Sequence, residues 1–159
     1  MTDYISGFIN GEEVKYYPET GVFMTRDRRS KKQIKWKVNK VWEDGRAYLQ
    51  MCIGKNYLVH RVLYKLYNPE WDIDFEPLKN QIDHINQTKN CNDIDNLRVV
   101  DSQKNQFNRT SKGCSFNKRV KKWLARIKVD NKSKFLGYFM TEDEAHKAYL
   151  EAKAKYHII

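Results

Sequence analysis

The chain has few of the residues that mark several protein classes. Its three cysteines, Cys52, Cys91 and Cys114, stand far apart in a sequence of 159 residues. An odd number at such spacing forms neither a disulfide framework nor a CxxC zinc pair, which indicates a reducing compartment. Seven glycines and three prolines are too few for a low-complexity or disordered chain. All apolar runs are shorter than the ~18–20 residues of a membrane span, so we expect a soluble, cytoplasmic protein without a membrane partner.

Positive charge is present in excess and is unevenly distributed. Thirty Lys and Arg against twenty Asp and Glu give a net charge of +10. Residues 26–40 carry eight basic and one acidic side chain, and residues 111–139 carry nine and one. Residues 69–101 between them hold eight acids and three bases. Two basic segments suit a polyanion, and an acidic one suits a divalent cation, but solvated basic loops around an acidic linker would have the same charge pattern.

The pattern of apolar residues divides the chain into three stretches. Residues 1–67 consist of short β-runs and turns, followed by a short helix that ends before Pro69. Residues 68–110 predict a strand, a polar loop, a second strand and a helix. Residues 111–159 predict strands followed by one helix. Trp123, Ala125, Ile127 and Val129 alternate with largely polar residues, which predicts one buried strand face. The helix begins at a capping box formed by Thr141 and Glu144. We therefore predict an α+β protein.

Four polar residues in the middle stretch have side chains suited to phosphodiester chemistry. Asp83 and His84 are adjacent on a predicted strand, so their side chains point to opposite faces, and one can ligate a metal while the other handles a proton. Asn105 lies on the helix that folds back against the hairpin, and a carboxylate with an amide oxygen suits Mg²⁺. Asn96, at the end of the loop, is placed to bridge its backbone. Each residue alone is more typical of a surface pair, a turn or a helix cap, and only the set of four favours chemistry.

These residues lie within motifs that resemble those of the HNH endonucleases of the ββα-metal class, in particular the phage-borne homing type. The motifs are VHRV at 59–62, IDHIN at 82–86, NLR at 96–98 and SQKNQFN at 102–108. YPETGVF at 17–23 also resembles the N-terminal signature of these phage proteins.

The resemblance implies a role for each of the four residues. His84 is expected to be the general base, Asp83 and Asn105 the metal ligands, and Asn96 the residue that stabilises the loop. The cofactor implied is one divalent metal, Mg²⁺ or alternatively Mn²⁺, without a structural zinc. The implied products are a 5′-phosphate and a 3′-hydroxyl, and the implied setting is the cytoplasm of a phage-infected or bacterial cell.

Residues 112–157 resemble the Apetala/ethylene-response-factor DNA-binding domain, which applies a three-stranded antiparallel sheet, backed by one helix, to the major groove. The matching segments are 112–116, 122–127, 135–139 and 141–145 with Ala148 and Tyr149. Trp123 is expected either to close the apolar core or to contact DNA. The DNA-binding residues predicted for the whole chain are Arg61, Lys89, Arg109, Lys118, Arg119, Lys121, Lys122, Trp123, Arg126, Lys128 and Lys134.

The sequence thus predicts an HNH endonuclease region over residues 1–110, with a β-rich segment at 1–67 and a ββα-metal core at about 79–110, followed by a DNA-binding module at 111–159. The partner is double-stranded DNA and the protein is a monomer or a homodimer. The alternatives are a non-catalytic, sequence-specific DNA-binding protein on an HNH scaffold, and an RNA-binding protein. The roles of two residues stay open. His60 is either structural or supports the active site, and Arg61 either holds a phosphate or pairs with an acid at 70–76.

Overall fold

A computed structural model describes residues 3–26, 35–76, 78–130 and 132–158 of the chain. The chain divides into two compact units, Met1–Asp101 and Ser102–Ile159. The sequence-based division at 110/111 differs from this one by the short helix that follows Asp101. Most of the first basic segment, residues 27–34, lies outside the described residues. Within the described ranges, none of the helices is both long and apolar enough to cross a bilayer.

The first unit begins with a four-stranded antiparallel sheet in the order β1-β2-β3-β4. Its strands are β1 (Ile5–Ile9), β2 (Glu12–Tyr17), β3 (Val22–Arg26) and β4 (Trp36–Val38). Asn10 and Gly11 join the first two strands, and both have positive φ, 50° and 71°. An Asn-Gly pair suits this conformation because a tight hairpin turn needs left-handed backbone at both central positions.

A second antiparallel sheet leads directly into the first helix. Its strands are β5 (Val41–Glu43), β6 (Leu49–Ile53) and β7 (Lys55–Leu58), and α1 follows over Val59–Tyr67. The helix buries one apolar face at helical spacing, with Val59, Val62, Leu63 and Leu66 in the interior. It ends before Pro69, as the sequence predicts.

The core of the first unit lies between α1 and the strands before it. The buried side chains are Ile9, Val14, Phe23, Met51, Ile53, Tyr57, Val59, Val62, Leu63, Leu66 and Ile73. α1 therefore has a fixed position, which also fixes the polar residues on it.

A two-stranded antiparallel hairpin follows, with β8 at Gln81–His84 and β9 at Leu97–Val100. The loop between the strands ends in a 3₁₀ turn over Ile94–Asn96. The sequence predicts both strands and this loop, and the structure confirms them.

In its described residues, the second unit contains three strands and two helices. They are α2 (Ser102–Asn108), β10 (Cys114–Asn117), β11 (Lys122–Val129), β12 (Lys132–Phe139) and α3 (Glu142–Tyr156), and the sheet order is β10-β11-β12. Ala125 and Ile127 of β11 are buried, as the predicted alternation requires. α3 buries Ala145, Tyr149 and Ala152. The predicted capping box is present at its start: the Thr141 side chain accepts from the Glu144 N–H, and the Glu144 carboxylate accepts from the Thr141 N–H. Helices and antiparallel sheets together confirm the α+β class.

Candidate active site

The hairpin β8–β9 holds a buried carboxylate beside a buried imidazole. Asp83 and His84 are 8% and 4% exposed, although Asp is almost never buried unless it is paired. Asp83 stands opposite Arg98 in the register of the hairpin. Nε and Nη2 of Arg98 both donate to Asp83 Oδ2, at 3.1 and 3.0 Å. This charge-assisted pair offsets the cost of burying the carboxylate and fixes its orientation.

The His84 ring is held by a hydrogen bond and by aromatic contacts. Its Nε2 lies 2.8 Å from the side-chain oxygen of Asn92. An amide oxygen only accepts, so this bond favours the tautomer with hydrogen on Nε2 and the lone pair on Nδ1. The centroid of the His84 ring lies 4.9 Å from that of His60, edge to face, and 6.2 Å from that of Tyr48.

Asn96 lies at the end of the loop and hydrogen-bonds across it. Its Oδ1 accepts from the Asn86 N–H at 3.0 Å, and its Nδ2 donates to Asn86 Oδ1 at 3.0 Å and to the Cys91 carbonyl at 2.7 Å. Its own carbonyl accepts from the Ile85 N–H at 2.9 Å. The loop is thus tied together directly after His84.

His60 lies in α1 and is only 4% exposed. Burial, with the nearby His84 and Arg61 as smaller causes, lowers the pKa of His60 to about 3. His60 is therefore neutral at physiological pH. Its Nδ1 is buried and makes no hydrogen bond with any residue in the described ranges. The sequence leaves the role of His60 open, and the structure places its ring 4.9 Å from that of His84.

Within the described residues, Arg61 forms hydrogen bonds with backbone carbonyls and no ion pair with an acid at 70–76, although the charge of Asp74 acts on it. Its guanidinium donates to the carbonyls of Ile73 and Asn80, the latter at 3.1 Å, and lies 5.0 Å from the centre of the Trp71 ring. The side chain thus holds the acidic loop between α1 and β8. Its predicted contact with DNA stays a prediction.

Lys89 lies in the loop after β8 and is exposed. Its ammonium donates to the Arg46 carbonyl at 3.0 Å and stands 5.0 Å from the centre of the Tyr48 ring. One of the predicted DNA-binding cations thus lies beside Tyr48, whose ring contacts those of His60 and His84. In the sequence, Tyr48 stands out only as the first residue of an alternating run at residues 48–53.

The donor set of this hairpin fits a hard divalent cation. In the described parts of the chain, no three His, Cys, Asp or Glu side chains form a metal-binding group. Mg²⁺ is commonly held by only one or two carboxylates while it keeps several waters and takes a substrate phosphate. A single buried carboxylate such as Asp83 meets that requirement, whereas a closed Cys/His zinc site needs four ligands.

Several residues predicted for the site and for DNA lie in the second unit. Asn105 is half-buried in α2, and Arg109 is exposed just after this helix. Lys118, Arg119 and Lys121 form the turn between β10 and β11, and they are exposed.

The two faces of β11 differ in chemistry. Arg126 and Lys128 are exposed and alternate with buried Ala125 and Ile127. Lys122, at the start of the strand, is exposed too. One face of the strand is therefore basic and open, while the other packs on α3.

Trp123 and Lys134 lie on the side of the sheet that faces α3. Trp123 is half-buried and contacts Phe116 edge to face, with ring centroids 5.6 Å apart. Lys134 pairs with buried Ile127 in the sheet register, and its ammonium donates to the Tyr156 hydroxyl at 2.7 Å. Both contacts are with other protein side chains, and the DNA contacts of these two residues stay predictions.

Comparison with known families gives a match in the middle of the chain. Residues 57–107 match the model of the HNH_3 family, described as HNH endonuclease. The match supports an HNH nuclease. It spans α1, the whole β8–β9 hairpin and all but the last residue of α2, and it includes His60, Asp83, His84, Asn96 and Asn105. We refer to residues 57–107 as the HNH region. Neither the curated proteins nor the solved structures contain a match to the chain.

Proposed function

We propose that the protein is a metal-dependent endonuclease that hydrolyses phosphodiester bonds of double-stranded DNA. The observation that carries this proposal is the pair of buried, consecutive residues Asp83 and His84 at the end of β8, inside the HNH region. The carboxylate and the imidazole are each held by a named partner, Arg98 and Asn92. Buried groups held in this way suit reacting atoms, because catalysis depends on fixed geometry.

His84 acts as the general base. With hydrogen on Nε2 toward Asn92, Nδ1 is the nitrogen that takes a proton from a water molecule. The resulting hydroxide attacks phosphorus, the bond from phosphorus to the 3′-oxygen breaks, and the 3′-oxygen takes a proton from solvent water. The family resemblance implies the same products, a 5′-phosphate and a 3′-hydroxyl.

Asp83 is the ligand that the first unit provides for the cation. A bound Mg²⁺ or Mn²⁺ would supply positive charge beside the phosphate oxygens and the leaving oxygen. The sequence resemblance assigns Asn105 as the second protein ligand. Asn96 keeps the loop closed, and thereby holds the segment that carries Asn92 next to His84.

The second unit binds the DNA duplex in this proposal. Support comes from the exposed cations on β11 and on the turn before it, which match the charge of a phosphate backbone. The open face of the sheet also carries two exposed aromatic residues, Phe135 and Tyr138, which are 59% and 45% exposed. Because the described residues contain one such hairpin, a monomer is expected to nick DNA.

The deciding experiment compares the parent protein with His84→Ala on supercoiled plasmid, with Mg²⁺ and with EDTA. We expect the parent to relax the plasmid only with metal, and His84→Ala to bind duplex with parental affinity and to leave it uncut. A matched control is His146→Ala, which removes an imidazole from α3 and should cut as the parent does. If His84→Ala cuts at the parental rate, the assigned base is wrong. If the parent binds duplex without cutting under any divalent metal, the non-catalytic alternative replaces the proposal.

A further inference from the structure

We propose that Tyr48 and His60 are positioning residues that form an aromatic seat for the imidazole of His84. This inference rests on the proposed function, because it assigns the seat a purpose in placing the general base. The three rings contact one another pairwise. Their centroids lie 5.6 Å apart for Tyr48 and His60, 6.2 Å for Tyr48 and His84, and 4.9 Å for His60 and His84.

The His84 ring is held by neighbouring rings as well as by the hydrogen bond to Asn92. Rotation of the ring would move Nδ1 away from the attacking water. The two neighbouring rings restrict this motion, since His60 meets His84 at an interplanar angle of 72° and Tyr48 meets it at 40°. Aromatic rings attract each other best in edge-to-face and offset arrangements, so these contacts favour one orientation of the imidazole.

His60 is a rigid part of this seat. It is 4% exposed, and its neighbours Val59 and Val62 on α1 are 3% and 0% exposed. A buried side chain on a packed helix has little freedom to change rotamer. Its position therefore follows from the packing of α1 in the core of the first unit.

Tyr48 is fixed by the turn that joins β5 to β6. The Asp44 carboxylate accepts from the N–H groups of Tyr48 and Arg46, at 3.0 and 2.8 Å, and the Asp44 N–H donates to the Tyr48 carbonyl at 2.8 Å. The Tyr48 N–H bond is the main cause of the lowered pKa of Asp44. Ala47 has φ of 65°, a left-handed conformation that alanine rarely adopts. A strained residue held this way indicates a turn with one defined conformation.

Lys89 connects the Tyr48 turn to the loop that follows His84. Its ammonium donates to the Arg46 carbonyl and lies over the Tyr48 ring. The same lysine thus contacts the turn twice, once through the backbone and once through the ring. Tyr48 itself lies outside the HNH region, so the seat joins that region to the strands before it.

The test measures single-turnover cleavage by Tyr48→Phe and Tyr48→Ala at saturating Mg²⁺ and DNA. We expect Tyr48→Phe to stay within about threefold of the parent, because the ring is kept. We expect Tyr48→Ala to be slower by about 10- to 100-fold, as small displacements of a reacting group can cost two orders of magnitude. Affinity for duplex should change less than twofold. The matched control is Trp42→Ala, which removes an aromatic ring from the neighbouring strand β5; it should keep parental cleavage.

Two outcomes would overturn the proposal. One is a parental cleavage rate in Tyr48→Ala. The other is a loss of cleavage rate in Tyr48→Phe as large as in Tyr48→Ala, which would show that the Tyr48 hydroxyl contacts the substrate. Thermal unfolding shows whether a slow variant has lost its fold or has only a displaced His84 ring. If Tyr48→Ala is unfolded, Tyr48→Leu takes its place in the test.

An NMR measurement separates this proposal from the proposed function. In protein labelled at histidine, Tyr48→Ala should shift the ring-proton resonances of both His60 and His84, while Tyr48→Phe should shift them less. This result needs no cleavage. If the parent does not cut DNA but the shifts occur, the seat exists and the nuclease function fails. Unchanged His84 resonances in Tyr48→Ala would overturn the seat even in an active enzyme.

Discussion

Arg98 donates two side-chain hydrogen bonds to one oxygen of Asp83, the residue directly opposite it in the hairpin. The Asp83 side chain is 8% exposed and that of Arg98 is 27% exposed. Breaking this ion pair should cost stability, because the Asp83 carboxylate has little access to water.

Without metal, Arg98→Ala should destabilise the protein by about 3 kcal/mol. This is the lower end of the range for a broken buried pair, because Arg98 keeps some solvent contact. Urea unfolding in EDTA measures the change. The control is Arg98→Ala combined with Asp83→Asn, which removes the charge and should regain at least half of the stability. A shift below about 0.5 kcal/mol in the single variant would show that the ion pair contributes nothing measurable.

His60 should make stability depend on pH. Its pKa in the folded state is lowered to about 3, mainly by burial, so the unfolded state binds more protons between about pH 3 and its ordinary value of 6.5. The contribution is therefore fully present above pH 6.5 and is lost as the pH falls. Between pH 8 and pH 5 the loss should be about 2 kcal/mol.

Urea unfolding of the parent and of His60→Phe at pH 8, 6 and 5 checks this prediction. Phenylalanine keeps a buried ring and does not titrate, so the variant should show a flatter pH dependence than the parent. Parallel profiles of the two proteins would contradict the assignment of the pH dependence to His60.

Asn92→Asp should move the acid limb of the pH–rate profile to higher pH. A carboxylate beside Nε2 favours the protonated imidazole of His84, and a protonated ring cannot accept a proton from water. The cleavage rate of this variant relative to the parent should therefore be lower at pH 6 than at pH 9. Asn92→Ala serves as the control, since it removes the hydrogen bond without adding charge and should slow cleavage at all pH values alike.

The exposed cations of β11 should account for part of the salt dependence of DNA binding. Arg126→Ala with Lys128→Ala should reduce the slope of log K against log salt by about 2, at roughly 0.9 for each phosphate that is no longer neutralised. Lys147→Ala with Lys155→Ala, which removes equal charge from α3, is the matched control and should change the slope by less than half as much. Equal slopes in the two double variants would show that net charge, and not the sheet face, determines binding.

The sequence predicted those parts of the fold that depend on neighbours in the chain. The alternation in β11 predicted which face is buried, because side chains of a strand alternate between two faces. Thr141 and Glu144 predicted the start of α3, since a capping box uses residues three apart. The adjacent Asp83 and His84, with the motifs around them, indicated an HNH nuclease, which the family match supports.

Interactions between distant segments were decided by the tertiary structure. Arg61 binds two carbonyls of the acidic loop where the sequence suggested an acid or a phosphate, because carbonyls that a loop buries also need donors. Lys134 lies against Tyr156 because its strand faces α3 at that register position.

The sequence by itself singled out the hairpin residues to which we assign chemistry, since residue type and the surrounding motifs suffice to name a carboxylate and an imidazole. Only the tertiary structure placed Tyr48 and His60 around that imidazole, and only it paired Asp83 with Arg98. The physical reason is that periodicity reports the face on which a side chain lies, whereas the neighbour it meets there depends on how separate elements pack to bury one core.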